Sequence, residues 1–231
     1  MNFFVFKRKD GLEVPSFQIG SIKEKPIIPR ATRIMKSISI EGRDGTLTED
    51  TKSYSDIEIE FELINYKENL WETETIGLLD GLGGELHLSW IEGWYKVNEV
   101  NVSIKEDITR LFNITISFKC GPFRQLEENK VILTENNSTV LIPGNYETDH
   151  ITKIYGSGDI SLLINDEQIV FKGVEGYITL DTFRLHCYKD NNSQNKKMIG
   201  EYTKLIPGAN TISWIGNVSK VEIIYRGRFL N

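Results

Sequence analysis

Apolar and polar residues alternate without a fault in two stretches of the chain. The first runs from Asp56 to Leu63 and has a carboxylate before each of its apolar residues; the second runs from Phe112 to Cys120. Successive side chains of a strand point to opposite faces of a sheet, so each stretch predicts a strand with one buried and one solvated face. The first of these strands is expected to carry a row of carboxylates on its solvated face.

A strand, a tight turn and a returning strand are predicted between Ile38 and Leu47. Two glycines, Gly42 and Gly45, bracket the Arg-Asp dipeptide at positions 43 and 44. The Asp-Gly pair is a strong hairpin signal, because glycine reaches positive φ without a steric cost. This hairpin anchors an N-terminal half that is predicted to consist mainly of strands.

The sequence before this hairpin is irregular. A first strand is expected to end at Gly11, and the mixed segment from Val14 to Arg33 follows it. Its prolines fix φ and remove backbone donors, which predicts a loop or an edge segment. An ordinary long loop and an arm that crosses a neighbouring subunit both fit this pattern. The prolines are Pro15, Pro26 and Pro29.

One helix is predicted near residues 66–80. Asn65 is a suitable N-cap, and Glu68, three residues further on, completes a capping-box pattern. The glycines at 81, 83 and 84 are expected to end the helix. The apolar residues that recur at helical spacing are Trp71, Leu78, Leu79 and Leu82.

A second hairpin, with an aromatic rim, is predicted around a turn at residues 92–93, between Trp90 and Trp94. The apolar positions of its second strand then change parity, which predicts a bulge near Asn98 and Glu99. Further along, Pro122 cannot donate to a central ladder, so the strand that begins at Phe112 is expected to stop there.

The second half of the chain reads as strands and turns alone. Together with the first half, this predicts a mainly β protein with an N-terminal domain at 1–125, containing strands and one helix, and a C-terminal sandwich or jelly roll at 126–231. The boundary is placed in the polar segment from Arg124 to about Asn137. The strands expected in the second half are Val140–Ile142, Ile151–Tyr155, Ile160–Ile164, Gln168–Phe171, Tyr177–Leu180, Phe183–Tyr188, Thr211–Ile215 and Val221–Tyr225.

Composition describes an ordinary folded protein of 231 residues, with 39% hydrophobic and 26% charged residues. The net charge of −6 and the lack of a basic cluster argue against a dedicated binder of nucleic acid or anionic lipid. No apolar run reaches the roughly 20 residues of a membrane helix, and no secretory signal is recognised. We expect folding in a cytosol, with Cys120 and Cys187 as buried, reduced thiols.

The candidate chemistry of the chain is sparse. Histidines 87, 150 and 186 lie in unrelated contexts, no metal-ligand spacing appears, and neither cysteine stands near a plausible base. His186 and Cys187 are strand neighbours that point to opposite faces. The sequence therefore predicts no enzyme, no cofactor and no metal site. The aromatic residues allow one alternative function, a carbohydrate-binding module for cell-wall glycans, and its candidate platform residues are Trp90, Trp94 and Trp214.

Five short motifs follow one another along nearly the whole length of the chain. They are Gly42-Arg43-Asp44-Gly45, Phe118-Lys119-Cys120-Gly121-Pro122-Phe123, Ile154-Tyr155-Gly156-Ser157-Gly158-Asp159-Ile160, Ile178-Thr179-Leu180-Asp181, and a run from Gly200 to Gly216 that includes Pro207-Gly208 and Trp214. Each motif is short, and their order and spacing carry the match. The chain resembles the distal tail protein family of siphophages that infect Gram-positive bacteria, which has relatives in phage-tail-like bacteriocins and prophages.

This resemblance implies an N-terminal domain that assembles into a hexameric ring and a C-terminal galectin-like β-sandwich. The implied location is the tip of a virion tail. The implied partners are the tail-tube protein on one side of the ring, the tail hub or lysin protein on the other, and receptor-binding or baseplate proteins at its edge. The C-terminal half lacks the long insertions of larger family members, which puts direct binding of host glycans in doubt.

Two sets of residues are candidates for roles in such a ring. A charged turn and an irregular arm suit a ring contact, and both could equally be exposed loops. The carboxylates of the first alternating strand could line the bore and repel DNA phosphates during ejection, or lie on an ordinary outer surface. The contact candidates are Arg43, Asp44, Pro26 and Pro29, and the bore candidates are Glu58, Glu60 and Glu62.

Overall fold

A computed structural model describes residues 2–65, 77, 79, 83–106 and 112–231. The chain divides into an N-terminal unit, residues 1–125 with 230–231, and a C-terminal unit, residues 126–229. Almost all of the regular structure is antiparallel strand, which confirms the prediction of a mainly β protein. The helix predicted near residues 66–80 lies outside the described residues, apart from Gly77 and Leu79.

The N-terminal unit contains one short helix that the sequence did not predict, α1 (Ser16–Ile19). It falls in the segment expected to be loop or edge, and Ile19 at its end is fully buried. The strands are β1 (Phe4–Arg8), β2 (Glu13–Pro15), β3 (Ser21–Ile22), β4 (Arg33–Ser39), β5 (Thr46–Tyr54), β6 (Ile57–Asn65), β7 (Gly84–Leu88), β8 (Trp94–Glu106) and the first part of β9 (Phe112–Leu133).

The main sheet of this unit curls over its own core. Its strands pair in the order β3, β6, β9, β8, β7, β1, β2. Phe4 on β1 and Phe61 on β6 belong to strands separated by three others, and yet their ring centroids lie 4.5 Å apart. Phe118 on β9 contacts both rings, at 5.3 and 5.8 Å. The sheet therefore closes on itself around an aromatic centre.

Both alternating stretches are strands, as predicted. In β6 the apolar residues are buried and the carboxylates between them are exposed. The register pairs Ile59 with Phe118 and Glu60 with Ser117, so the buried apolar residues of β6 face buried apolar residues of β9. The correct register keeps the whole apolar set on the core side, because a slip of one residue would turn it towards solvent.

Two irregularities shape β8 and β9. Between the pairs Val97–Cys120 and Glu99–Lys119, β8 contains one extra residue, which confirms the predicted bulge at Asn98. The expectation that β9 stops at Pro122 is wrong. Between the pairs Tyr95–Arg124 and Val97–Cys120, β9 contains extra residues around Pro122. Pro122 thus lies in a bulge, where no backbone N–H is required to donate to the neighbouring strand, and the strand continues beyond it.

The C-terminal unit contains eight strands, as many as predicted, and three of them are long strands that each unite two of the expected short ones. They pair in the order β14, β13, β12, β11, β16, β10, and β15 pairs with β12. The strands are the end of β9, then β10 (Ser138–Ile142), β11 (His150–Ile164), β12 (Glu167–Asp181), β13 (His186–Lys189), β14 (Asn192–Ser193), β15 (Met198–Ile199) and β16 (Gly208–Leu230).

Three pairs of expected short strands are continuous strands that bend. The register between β11 and its neighbours shifts near Gly156 and Gly158, so the residues between the expected strands Ile151–Tyr155 and Ile160–Ile164 lie in bulges of one strand. Such bulges bend a strand without ending it. One further expectation is wrong, because Phe183 to Leu185 form a turn and β13 begins only at His186. Residues from both halves of these bent strands meet in one core, for example Ile154 with Ile164.

Candidate interaction surfaces

Among the described strands of the N-terminal unit, the most exposed are those of the β4–β5 hairpin, residues 33–54, which we call the hairpin arm. Its strands pair with each other in a sheet of their own. Every residue of β4 is exposed, and in β5 Tyr54 is half-buried while the rest are exposed. Among the described residues no other strand pairs with the arm. No described strand therefore covers its two edges, and the side chains of both its faces are exposed.

The tip of the arm has the turn that the sequence predicted. Gly42 and Gly45 have φ of 78° and 77°, in the left-handed region that favours glycine. The backbone N–H of Arg43 donates to the carbonyl of Ile40 over 3.2 Å. Arg43 and Asp44 are both exposed at the tip. The hairpin is confirmed, and the role of these two residues in a ring contact stays a prediction.

Apolar side chains are unusually exposed along the arm. Ile38 and Leu47 face each other across the two strands. An isolated two-stranded hairpin is only marginally stable in water, so a surface that covers these side chains would stabilise the arm. The exposed apolar residues and their exposed fractions are Ile34 43%, Met35 49%, Ile38 37%, Ile40 42% and Leu47 39%.

The base of the arm is fixed to the N-terminal unit. The ring of Tyr54 meets that of Phe123 edge-on, with centroids 5.9 Å apart. Arg33 Nε lies 3.0 Å from Asp50 Oδ1. Between the register pairs Arg33–Tyr54 and Met35–Asp50, β5 contains extra residues, and Lys52 among them has a positive φ of 56°. A bulge of this kind increases the local twist and sets the direction in which the arm projects.

The two predicted contact prolines lie just before the arm. Residues 25–32 have no regular structure, as expected for a loop, and Pro26 and Pro29 are half-buried. Ile28 packs against the core, whereas its neighbour Ile27 is 89% exposed. Sequence reasoning missed Ile27, because an isolated apolar residue between prolines carries no periodic signal.

The carboxylates of β6 belong to a broad hydrophilic face. Glu58, Glu60 and Glu62 are all exposed, opposite polar residues of β9. Ser117 Oγ donates to Glu58, and Lys23 Nζ lies 3.1 Å from Glu62 Oε2. This face offers carboxylates, hydroxyls, amides and the ammonium groups of Lys23 and Lys119 to solvent, with its apolar side chains on the opposite, core side. The structure thus places the three carboxylates together on one surface.

Of the three tryptophans proposed as a glycan platform, Trp214 is buried and the other two are half-buried. Trp214 is 7% exposed and lies in the core of the C-terminal unit, so it presents no open ring face. Its backbone exchanges two hydrogen bonds of 2.8 Å with the side chain of Asn136. Trp90 and Trp94 are half-buried, and Trp90 has Lys25 Nζ 5.3 Å from its ring centroid. Burial of Trp214 follows from its sharing a strand face with Ile212, which is also buried.

The side chains of both cysteines and of His150 are buried. Burial raises the pKa of the Cys120 thiol to about 12 and that of Cys187 to about 11, and both cysteines are free. Burial also lowers the pKa of His150 to about 4. Within the described ranges, no group of three or more His, Cys, Asp or Glu side chains could hold a metal ion. The same residues include no helix long and apolar enough to cross a membrane.

Comparison with known proteins identifies the fold. No protein-family model and no curated protein sequence matches the chain. Among solved structures, the SPP1 Dit protein is similar over 100% of both chains, with a TM-score of 0.72 and 12% sequence identity. The chain has the fold of SPP1 Dit. A chain of the phage P2 baseplate in its activated conformation is similar over 98% of both chains, at 14% identity and a TM-score of 0.46.

The likeness to SPP1 Dit includes both units of the chain. It confirms, for the fold, the resemblance to distal tail proteins that the sequence motifs indicated. SPP1 Dit is described as a paradigm of the hub adsorption apparatus in phages that infect Gram-positive bacteria. At 12% identity the two chains share few side chains. The roles of the hairpin arm and of the acidic face, which is the surface of β6 that carries Glu58, Glu60 and Glu62, must therefore be judged from the side chains of this protein.

Proposed function

We propose that the chain is a structural protein of a phage tail tip, where six copies form a ring. In this role the ring joins the tail tube on one side to the tail hub or lysin protein on the other, and host-recognition proteins attach at its edge. The observation that carries the proposal is the fold shared over the full length with SPP1 Dit, a protein of a phage adsorption hub.

The hairpin arm supports a ring in particular. A ring of identical subunits needs a heterologous contact, in which one surface of each copy meets a different surface of the next. The arm is an exposed element with solvent on both faces and an exposed Ile38–Leu47 pair. We propose that it lies against the neighbouring copy, with Arg43 and Asp44 at the far end of the contact. Covering the pair would remove apolar surface from water.

The acidic face has a proposed place in the same ring. If Glu58, Glu60 and Glu62 line the bore, their charges repel the phosphates of DNA that passes through. Their exposure on one hydrophilic surface supports this position. A bore of this kind would let a genome slide without adhering.

The decisive experiment measures the solution mass of the purified chain by light scattering at several concentrations, with negative-stain images of the same samples. We expect six times the mass of 26.5 kDa and ring-shaped particles, alone or after addition of the tail-tube or hub protein. A chain that stays monomeric with both partners contradicts the proposal.

A pair of variants tests the arm itself. Leu47→Asp places a charge in the proposed apolar contact, and we expect it to shift the mass towards the monomer. Leu141→Asp is the matched control, since Leu141 is 70% exposed on β10 of the C-terminal unit. Circular dichroism confirms that both variants fold. Equal assembly of the two variants would remove the arm from the ring contact.

A further inference from the structure

The C-terminal unit contains an open cleft that none of the predicted sites includes. It has a volume of about 320 Å³ and lies on the solvated side of the sheet formed by β13, β12, β11 and β16. Its lining combines two aromatic rings with charged and aliphatic side chains. These include Lys153, Tyr177, Tyr188, Asp190, Glu222 and Ile224.

The strand register brings these residues together. Lys153 on β11 pairs with Thr179 on β12 and with Glu222 on β16. In the next outward-facing row, Tyr155 pairs with Tyr177 and with Lys220. The intervening residues of β11 point the other way, into the core. The cleft is therefore a side-chain surface fixed by three long, paired strands.

Lys153 is the distinctive group of this surface. Its ammonium lies 3.9 Å from the ring centroid of Tyr177 and 5.0 Å from that of Tyr155. Within the part of the chain that the structure describes, no carboxylate forms an ion pair with Lys153. Lys220, by contrast, has Glu222 Oε1 at 2.7 Å. Two aromatic rings thus hold the Lys153 ammonium in place and leave its N–H donors to solvent or to a ligand.

The carboxylates of the cleft argue against a polyanionic ligand. Glu222 Oε2 lies 2.9 Å from Lys130 Nζ, and the Tyr177 hydroxyl donates to Asp190. A polyanion such as a nucleic acid would meet these carboxylates as well as the lysines. A ring that carries many hydroxyls needs both donors and acceptors, together with an aromatic or aliphatic wall for its C–H face. The cleft offers all three.

We propose that this cleft binds an oligosaccharide. Lys153 donates to sugar oxygens, the Glu222 and Asp190 carboxylates accept from sugar hydroxyls, and the rings of Tyr177 and Tyr188 with Ile224 pack against the apolar edge of the sugar. The volume of about 320 Å³ holds a unit of one or two sugar rings. The site differs from the tryptophans considered from sequence, since none of them lines it.

The test titrates the full chain with maltotetraose, chitotetraose, a β-galactotetraose and tetragalacturonate by isothermal calorimetry. We expect saturable binding of at least one of these saccharides. Lys153→Met keeps the length of the side chain and removes its charge, and it should weaken that binding about tenfold, equivalent to ~1.4 kcal/mol. Lys204→Met is the matched control, because Lys204 is a surface lysine of the same unit, 3.0 Å from Glu147. It should leave binding unchanged.

Three results would overturn the proposal. They are no binding of any of the four saccharides, equal loss in the two lysine variants, and binding of a tetra-aspartate peptide at Lys153 without binding of a saccharide. Thermal melting of each variant separates lost binding from lost folding. Because the titration needs only the isolated chain, its outcome is independent of whether six copies form a ring.

Discussion

At the scale of single residues, Glu222 shows how two neighbouring lysines act on one carboxylate. Its side chain is 12% exposed and receives Lys220 Nζ at 2.7 Å and Lys130 Nζ at 2.9 Å. Hydrogen bonds from Lys220 and then Lys130 lower the pKa of Glu222 from its ordinary 4.5 to about 2. The carboxylate is thus favoured in its charged form by folding.

This gives a prediction for stability against pH. A carboxylate whose pKa is lowered in the folded chain contributes its full stabilisation above its unfolded pKa and loses it as the pH falls through the folded value. For Glu222 the window runs from about pH 4.5 down to about pH 2. We expect Glu222→Gln to lower the free energy of unfolding by about 1 kcal/mol at pH 7 and to have little effect at pH 2.

Denaturant titrations of the wild type and the variant at several pH values measure this difference. Glu167→Gln changes an exposed carboxylate of the same unit and serves as the control. A destabilisation by Glu222→Gln that is equally large at pH 7 and pH 2 would contradict the assignment, because the loss would then come from packing.

At the scale of elements, the bend of β11 depends on a close approach of two strands. A Cβ at Gly156 would overlap the carbonyl oxygen of Asn217 and lie 2.8 Å from Ile160 Cδ1. Gly158, two residues on, has a φ of 80° and open space around it. One glycine is thus required by contact and the other by backbone conformation.

The two requirements predict different costs. Gly156→Ala forces the backbone of β16 away from β11, and we expect a loss of about 3 kcal/mol in the free energy of unfolding. At Gly158 an added Cβ meets no neighbouring atom, so Gly158→Ala costs only the strain of a left-handed backbone conformation, about 1 kcal/mol in the free energy of unfolding. Chemical denaturation of the two variants, followed by near-ultraviolet circular dichroism, compares them. Equal losses would mean that β16 moves freely and that the close approach is not a constraint.

These glycines also explain where sequence reasoning reached its limit. Alternation alone predicted β6 and the start of β9, since a period of two is a local property of the sequence. The Gly-Ser-Gly run at 156–158 lies between two expected strands and Pro122 at the expected end of another, and in the structure both lie in bulges. A glycine or a proline disturbs a ladder in the same way at a turn and at a bulge. The difference depends on the partner strand, which local sequence does not contain.

At the scale of the whole molecule, one candidate surface could be predicted from local sequence and another could not. The arm tip is a contiguous segment, so its turn could be predicted from Gly42 and Gly45. The cleft could not, because Lys153, Tyr177 and Glu222 meet only through the register of three strands. Trp214 was a plausible platform residue by type and proved to be buried. Residue type indicates what a side chain can do, and topology decides whether it has access to a ligand.

In the assembled ring, the charge of the proposed bore should decide whether DNA is retained. Replacing Glu58, Glu60 and Glu62 together by lysine turns the acidic face of β6 into a basic one. If this face lines the bore, the variant ring should retain linear duplex DNA at low salt and release it as the salt concentration rises, because counterion release makes such binding salt-dependent. The wild-type ring should not retain DNA under either condition.

A control with the same change in net charge makes this result specific to position. Lysine substitutions at Glu135, Glu167 and Glu201 alter three exposed carboxylates of the C-terminal unit. DNA retention is measured by electrophoretic mobility and by sedimentation of the ring with labelled duplex. Retention by the first variant alone, with the ring intact in negative stain, places the acidic face in the path of DNA. Equal retention by both variants would mean that net charge alone attracts DNA, and the carboxylates of β6 would then belong to an ordinary outer surface.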